Sequence, residues 1–183
     1  MYLSSTRYRK LKNIELNIYK RYDIKSFPIN PFELCEKIGI QLVKYSEIKD
    51  SHERELLFEA SKDAFYIPEL RCIVYNDEIS IEERLFNSIM HELSHYFCGH
   101  KEHSQLAESE ANFLARYFRA PIPIICEKHF KTTNQISNYF KISEESASYA
   151  LNNAKKVSKN QYAGVDFTLY NDIIMQFEMG GEQ

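Results

Sequence analysis

No segment of this chain carries the ~20 consecutive apolar residues that a membrane-spanning helix requires, and the amino-terminal run MYLSSTRYRKLKN lacks the apolar stretch of a secretion signal. A cytoplasmic protein that does not enter membranes is therefore expected. Its four cysteines, Cys35, Cys72, Cys98 and Cys126, stand far apart with no CxxC pair, which argues against a disulfide framework and for buried free thiols in a reducing compartment. Glycine/serine linkers, low-complexity tracts and internal repeats are absent, so nothing cuts the 183 residues in two. Cationic excess is lacking as well. A net charge of −3 and a pI near 6.1 disfavour a phosphate backbone as the main partner, and direct nucleic-acid binding is not expected. At 44% hydrophobic residues, the chain can bury a core without staples.

Apolar residues at Tyr8, Leu11, Ile14, Ile18 and Tyr22 recur at helical steps and predict a first helix over Arg7–Tyr22. Asn30-Pro31-Phe32-Glu33 combines a cap, a proline at the first helical position and an early carboxylate, and Gly39 supplies a stop, so a short helix spans Pro31–Ile38. Ile40–Tyr45, Ala64–Ile67 and Cys72–Tyr75 have strand character and predict a small antiparallel sheet. Ser80 and Glu83 form a capping signal for a helix ending at Cys98 before Gly99. Another helix spans Gln105–Arg119, and further helical patterns follow at Thr133–Phe140, Ser143–Lys156 and Asp166–Phe177. The expected class is α+β, predominantly helical.

Within the helix ending at Cys98, His91-Glu92-Leu93-Ser94-His95 puts two imidazoles one turn apart on one face, where both can bind one ion. Phe86, Ile89, Met90, Leu93 and Phe97 fill the opposite side, so the histidines line a cleft. In the next helix Leu106, Ala107, Ala111, Phe113, Leu114, Tyr117 and Phe118 form a buried arc that also contains Glu110. A buried carboxylate needs a metal ion or a cation beside it. Glu110 is accordingly preferred as third ligand, with Glu108 and other carboxylates as competitors. Two histidines and a glutamate suit Zn2+, with Mn2+ as the alternative ion, and leave a position for water. Glu92, rotated by ~100° from His91, is the candidate base that takes a proton from that water and delivers it to a leaving amine. Peptide hydrolysis follows.

Cys98 lies one turn after His95 but is more simply a small buried thiol. His100, His103, His129, Tyr96, Tyr117 and Arg119 are candidate oxyanion donors that sequence alone does not separate.

The run HELSHYFCGH, followed by ESEANFLARYFRAP, resembles the ImmA/IrrE family of metallopeptidases. The matching positions are His91, Glu92, His95, Gly99 and His100 in the first motif, and Glu108, Glu110, Ala111, Asn112, Ala115 and Pro121 in the second. NPFELCEKIGI, from Asn30 to Ile40, is similar to the family's amino-terminal region. Ser94, Leu114, Phe118 and Arg119 depart from the usual residues without removing a ligand or the base. The resemblance spans about Asn30 to Pro121 and implies zinc proteolysis; the expected organisation is one zincin-like endopeptidase domain over 1–183, with a catalytic core at 1–121 and a helical carboxyl-terminal subdomain at 122–183. The resemblance also implies a substrate, a helix-turn-helix repressor encoded nearby on a phage or mobile element.

Thr133–Leu151 itself has helix-turn-helix rhythm, but its second helix opens with Glu144 and Glu145, which repel phosphate. Apolar Ile136, Phe140, Ala147 and Leu151 suit packing, and a repressor-docking or structural role is expected there. The rival is a non-enzymatic regulator that keeps a structural metal and binds a repressor or DNA through these helices. Glu92 argues against it, since a structural site has no use for an unligated carboxylate beside its first ligand.

Overall fold

The computed structural model describes residues 3–102, 104–158 and 166–178. Its contacts gather into two units, one of residues 30–112 and one combining the chain up to Ile29 with the chain from Phe113. The amino-terminal helix falls in the second of these because it packs with the carboxyl-terminal part of the chain.

In the unit of residues 30–112, Asn30 Oδ1 accepts from Phe32 N and starts α2 (Pro31–Ile38), and Gly39, at φ 74°, ends it. Strands β1 (Gln41–Lys44), β2 (Ala64–Ile67) and β3 (Cys72–Tyr75) follow, with α3 (Ser51–Ala60) between β1 and β2. Their order is β1-β3-β2. The antiparallel expectation holds for β2 on β3, with Tyr66 opposite Ile73, but β1 runs parallel to β3, with Leu42 opposite Ile73. The intervening α3 and β2 give the chain enough length to return in the same direction. All of β3 is buried, as a central strand should be. On one face Cys72 and Val74 pack with Tyr45, Leu57 and Phe58; Tyr75 stands edge-on to Phe32 of α2.

Helix α4 (Glu82–Cys98) packs on α2, β2 and β3 through fully buried Ile89, Met90 and Leu93. It begins at Ile81 with no side-chain cap, so Ser80 does not play the expected role, and it ends at Gly99, φ 70°. Helix α5 (Gln105–Arg119) has the expected bounds and gives this unit its residues up to Asn112.

In the other unit α1 (Ser5–Arg21), capped by Ser4, starts two residues earlier than expected. It packs against α9 (Phe167–Glu178), and α6 (Ile122–Glu127) against α8 (Glu144–Ser158) and α9. Helix α6 starts ahead of Pro123, which its first turn accommodates. Helix α7 (Thr133–Phe140) carries a full capping box, Thr132 with Gln135, and packs on α8. Tyr19 stacks on Phe118 at 4.6 Å and meets Phe177 edge-on. Ile136, Phe140, Ala147 and Leu151 are core residues of this unit, so they do not form a docking face; Glu144 and Glu145 are exposed. No described helix is long and apolar enough to cross a membrane.

Candidate metal centre

Helical periodicity brings His91 and His95 together: their Nε2 atoms are 3.1 Å apart. The acid that meets them is Glu108, from the first turn of α5, with Oε2 3.2 Å from His91 Nε2 and Oε1 3.3 Å from His95 Nε2. A tetrahedral ion with bonds of about 2.0–2.1 Å spaces its ligand atoms about 3.3 Å apart, so these three donors fit one such ion. His91, His95 and Glu108 form the group able to hold a metal among the described residues.

Glu110 is placed elsewhere. It is buried, 7% exposed, as the helical arc predicts, but its Oε2 lies 3.0 Å from His100 Nε2. His100 Nδ1 in turn lies 3.1 Å from His95 Nδ1. The partner that a buried carboxylate needs is, for Glu110, His100. Glu108, by contrast, has a side chain 43% exposed. An open metal site needs a reachable side, and of the two acids Glu108 is the one on that side.

Glu92 is held by the sheet. Its Oε2 accepts a hydrogen bond from Tyr66 N, 2.9 Å away in β2. Asp63, just ahead of β2, accepts from Arg84 Nε at 3.0 Å and Ser88 Oγ at 3.1 Å, a second tie between that strand and α4. Arg84, Ser88, His91 and His95 recur at helical steps, the one sequence signal for this clamp. Burial pushes the Glu92 carboxyl up to about 8, against the Tyr66 N–H bond, which lowers it, and the nearby Glu108 charge adds to the rise. Burial also lowers His91, although Glu108 pulls the other way, and so favours the neutral imidazole that a metal requires. The Arg84 bond holds the Asp63 carboxyl below its usual range.

A cleft of about 680 Å³ opens over His91, Glu92, His95 and Glu108, bordered by Asp63, Ala64 and Phe65. A smaller one, about 210 Å³, reaches Glu92, His95 and His100 along Phe65–Glu69. Of the other candidate donors, Cys98 is half-buried, Tyr96 accepts from the Arg71 guanidinium at 3.2 Å, and His103 lies outside the described residues. His129, Tyr117 and Arg119 belong to the other unit.

No curated protein matches the chain. A family model does: residues 35–152 match the IrrE N-terminal-like domain of peptidase family M78, a span that holds every residue of this site. The chain thus belongs to the M78 (ImmA/IrrE) metallopeptidases, hydrolases acting on peptide bonds.

Proposed function

We propose that the protein is a zinc-dependent endopeptidase in which His91 Nε2, His95 Nε2 and the Glu108 carboxylate hold the ion and Glu92 moves the proton. The observation that carries this is the convergence of those three donors beside a carboxylate that the edge strand holds in place. Glu108 replaces Glu110 as third ligand. Two imidazole nitrogens favour zinc over manganese. The ion, when bound, supplies the Lewis acidity that activates water and polarises a carbonyl. Glu92, kept as the carboxylate by a cation bound beside it against the burial that raises it, uses Oε1 to take the proton of the attacking water and hand it to the departing amine, while Tyr66 N–H steadies Oε2.

The substrate strand has a natural place. Asp63 O accepts from Asn76 N beside β3, so the alternate residues Ala64 and Tyr66 turn their backbone groups away from the sheet. The N–H groups of Ala64 and Tyr66 are taken by Ser61 Oγ and Glu92 Oε2, so it is their carbonyls that can accept from an extended segment of protein lying along that edge. A helix-turn-helix repressor in the cytoplasm, encoded on a phage or mobile element, is the substrate that the resemblance of the two motifs supports. The carboxyl-terminal helices are then a holding surface through exposed Glu144 and Glu145, and not a DNA reader. The test is to incubate the zinc-loaded protein with repressors encoded beside its gene and analyse the products by mass spectrometry. Fragments made by the wild type and not by Glu92→Gln are expected; intact repressors throughout would count against this substrate.

A further inference from the structure

The proposed ligands use only one nitrogen of His95, and the other one leads into the protein. Nε2 faces His91 and Glu108, whereas Nδ1 lies 3.1 Å from His100 Nδ1, and His100 Nε2 lies 3.0 Å from Glu110 Oε2. The side chains of His95, His100 and Glu110 are only 8%, 12% and 9% exposed, so water competes little for these bonds. Chain geometry makes the contact: Gly99 turns the backbone at φ 70°, and His100 N donates to His95 O at 3.0 Å, folding the ring of His100 back over that of His95.

Proton counting then leaves one arrangement for a neutral His100. A His95 that gives its Nε2 lone pair to an ion carries its hydrogen on Nδ1 and donates it to His100. His100 Nδ1 must accept, so its own hydrogen sits on Nε2 and is donated to the Glu110 carboxylate. We infer that His100 and Glu110 are positioning residues, a carboxylate–imidazole–imidazole chain that fixes the tautomer and ring plane of His95 for metal binding. Glu110 acts at two removes from the ion. This chain rests on the ligand set proposed above.

The test loads purified full-length protein with Co2+ alone and with Zn2+ alone, recording the visible cobalt spectrum and measuring affinity by competition with a chromophoric chelator. His100→Phe and Glu110→Ala should each bind one ion with affinity lowered roughly 10–100-fold and with an altered cobalt spectrum. Glu110→Gln, whose carbonyl still accepts from His100, should restore most of both. Nitrogen NMR of zinc-loaded wild type should place hydrogens on His95 Nδ1 and His100 Nε2. Unchanged affinity and spectrum in His100→Phe, or the opposite tautomers, would overturn the chain while leaving the zinc site standing. Failure of wild type to bind an ion, or complete loss of the ion in Glu110→Ala with retention in Glu108→Ala, would instead overturn the ligand set and this inference with it.

Discussion

Each unit of the protein buries a glutamate, and the two are handled differently. Glu110, in the unit of residues 30–112, meets His100, which in turn meets His95. Glu15, 1% exposed in the other unit, meets the Tyr19 hydroxyl, whose Oη lies 2.9 Å from Glu15 Oε1 and 2.7 Å from Phe118 O. One phenolic hydrogen cannot serve two acceptors, so a protonated Glu15 satisfies that arrangement best. Burial accordingly pushes Glu15 up to about 7, although the Tyr19 bond and Lys12 pull it down. A buried carboxylate therefore does not announce a metal; what its partner touches next decides its role.

The largest effects separate the metal unit's own groups. Glu92→Gln should keep ion and fold yet lose turnover by roughly 10²–10⁴-fold, because an amide of the same shape cannot accept the proton. Zinc analysis alongside peptide hydrolysis would check it, and turnover near wild type would remove Glu92 from its role. Glu108→Ala should strip the ion more completely than Glu110→Ala, which costs roughly 10–100-fold in affinity; equilibrium dialysis against buffered zinc reads the difference, and equal losses would erase the contrast between the two acids.

How much of this was legible in the sequence follows from the same pair of acids. Helical period alone placed His91 and His95 on one face, and it also placed Glu110 inside and Glu108 outside. It could not say which acid reaches the histidines, because that depends on how α5 sits against α4. Burial and geometry point to different acids: Glu110 is the buried one and stands on His100, whereas half-exposed Glu108 stands within 3.3 Å of both histidines. Helix α3 was missed because none of its residues is buried, although Asp50 and Glu53 formed a readable start signal. Parallel pairing of β1 was invisible, since strand direction is set by the whole connection and not by either strand's residues.

Smaller effects sharpen the other half of the comparison. Glu15→Gln lets the amide donate to Tyr19 and removes a group whose folded value, about 7, exceeds its ordinary 4.5. A raised acid contributes fully below the unfolded value and loses that contribution as pH climbs through the folded one. At pH 8 the variant should thus be more stable than wild type by up to about 3 kcal/mol, a gain that vanishes towards pH 4. Denaturant unfolding at the two pH values measures it; a gain independent of pH would mean that Glu15 is not the titrating group. Least of all, Gly99→Ala should cost about 1 kcal/mol, from backbone strain at φ 70° alone, since an added Cβ meets nothing within 4 Å. Thermal unfolding would register it.

The ligand set itself is open to direct inspection by anomalous diffraction at the zinc edge from crystals of the zinc-loaded wild type. The expected map has one peak bonded to His91 Nε2, His95 Nε2 and the Glu108 carboxylate, with Glu110 on His100 behind them. A peak bonded to Glu110, with Glu108 turned to solvent, would contradict it.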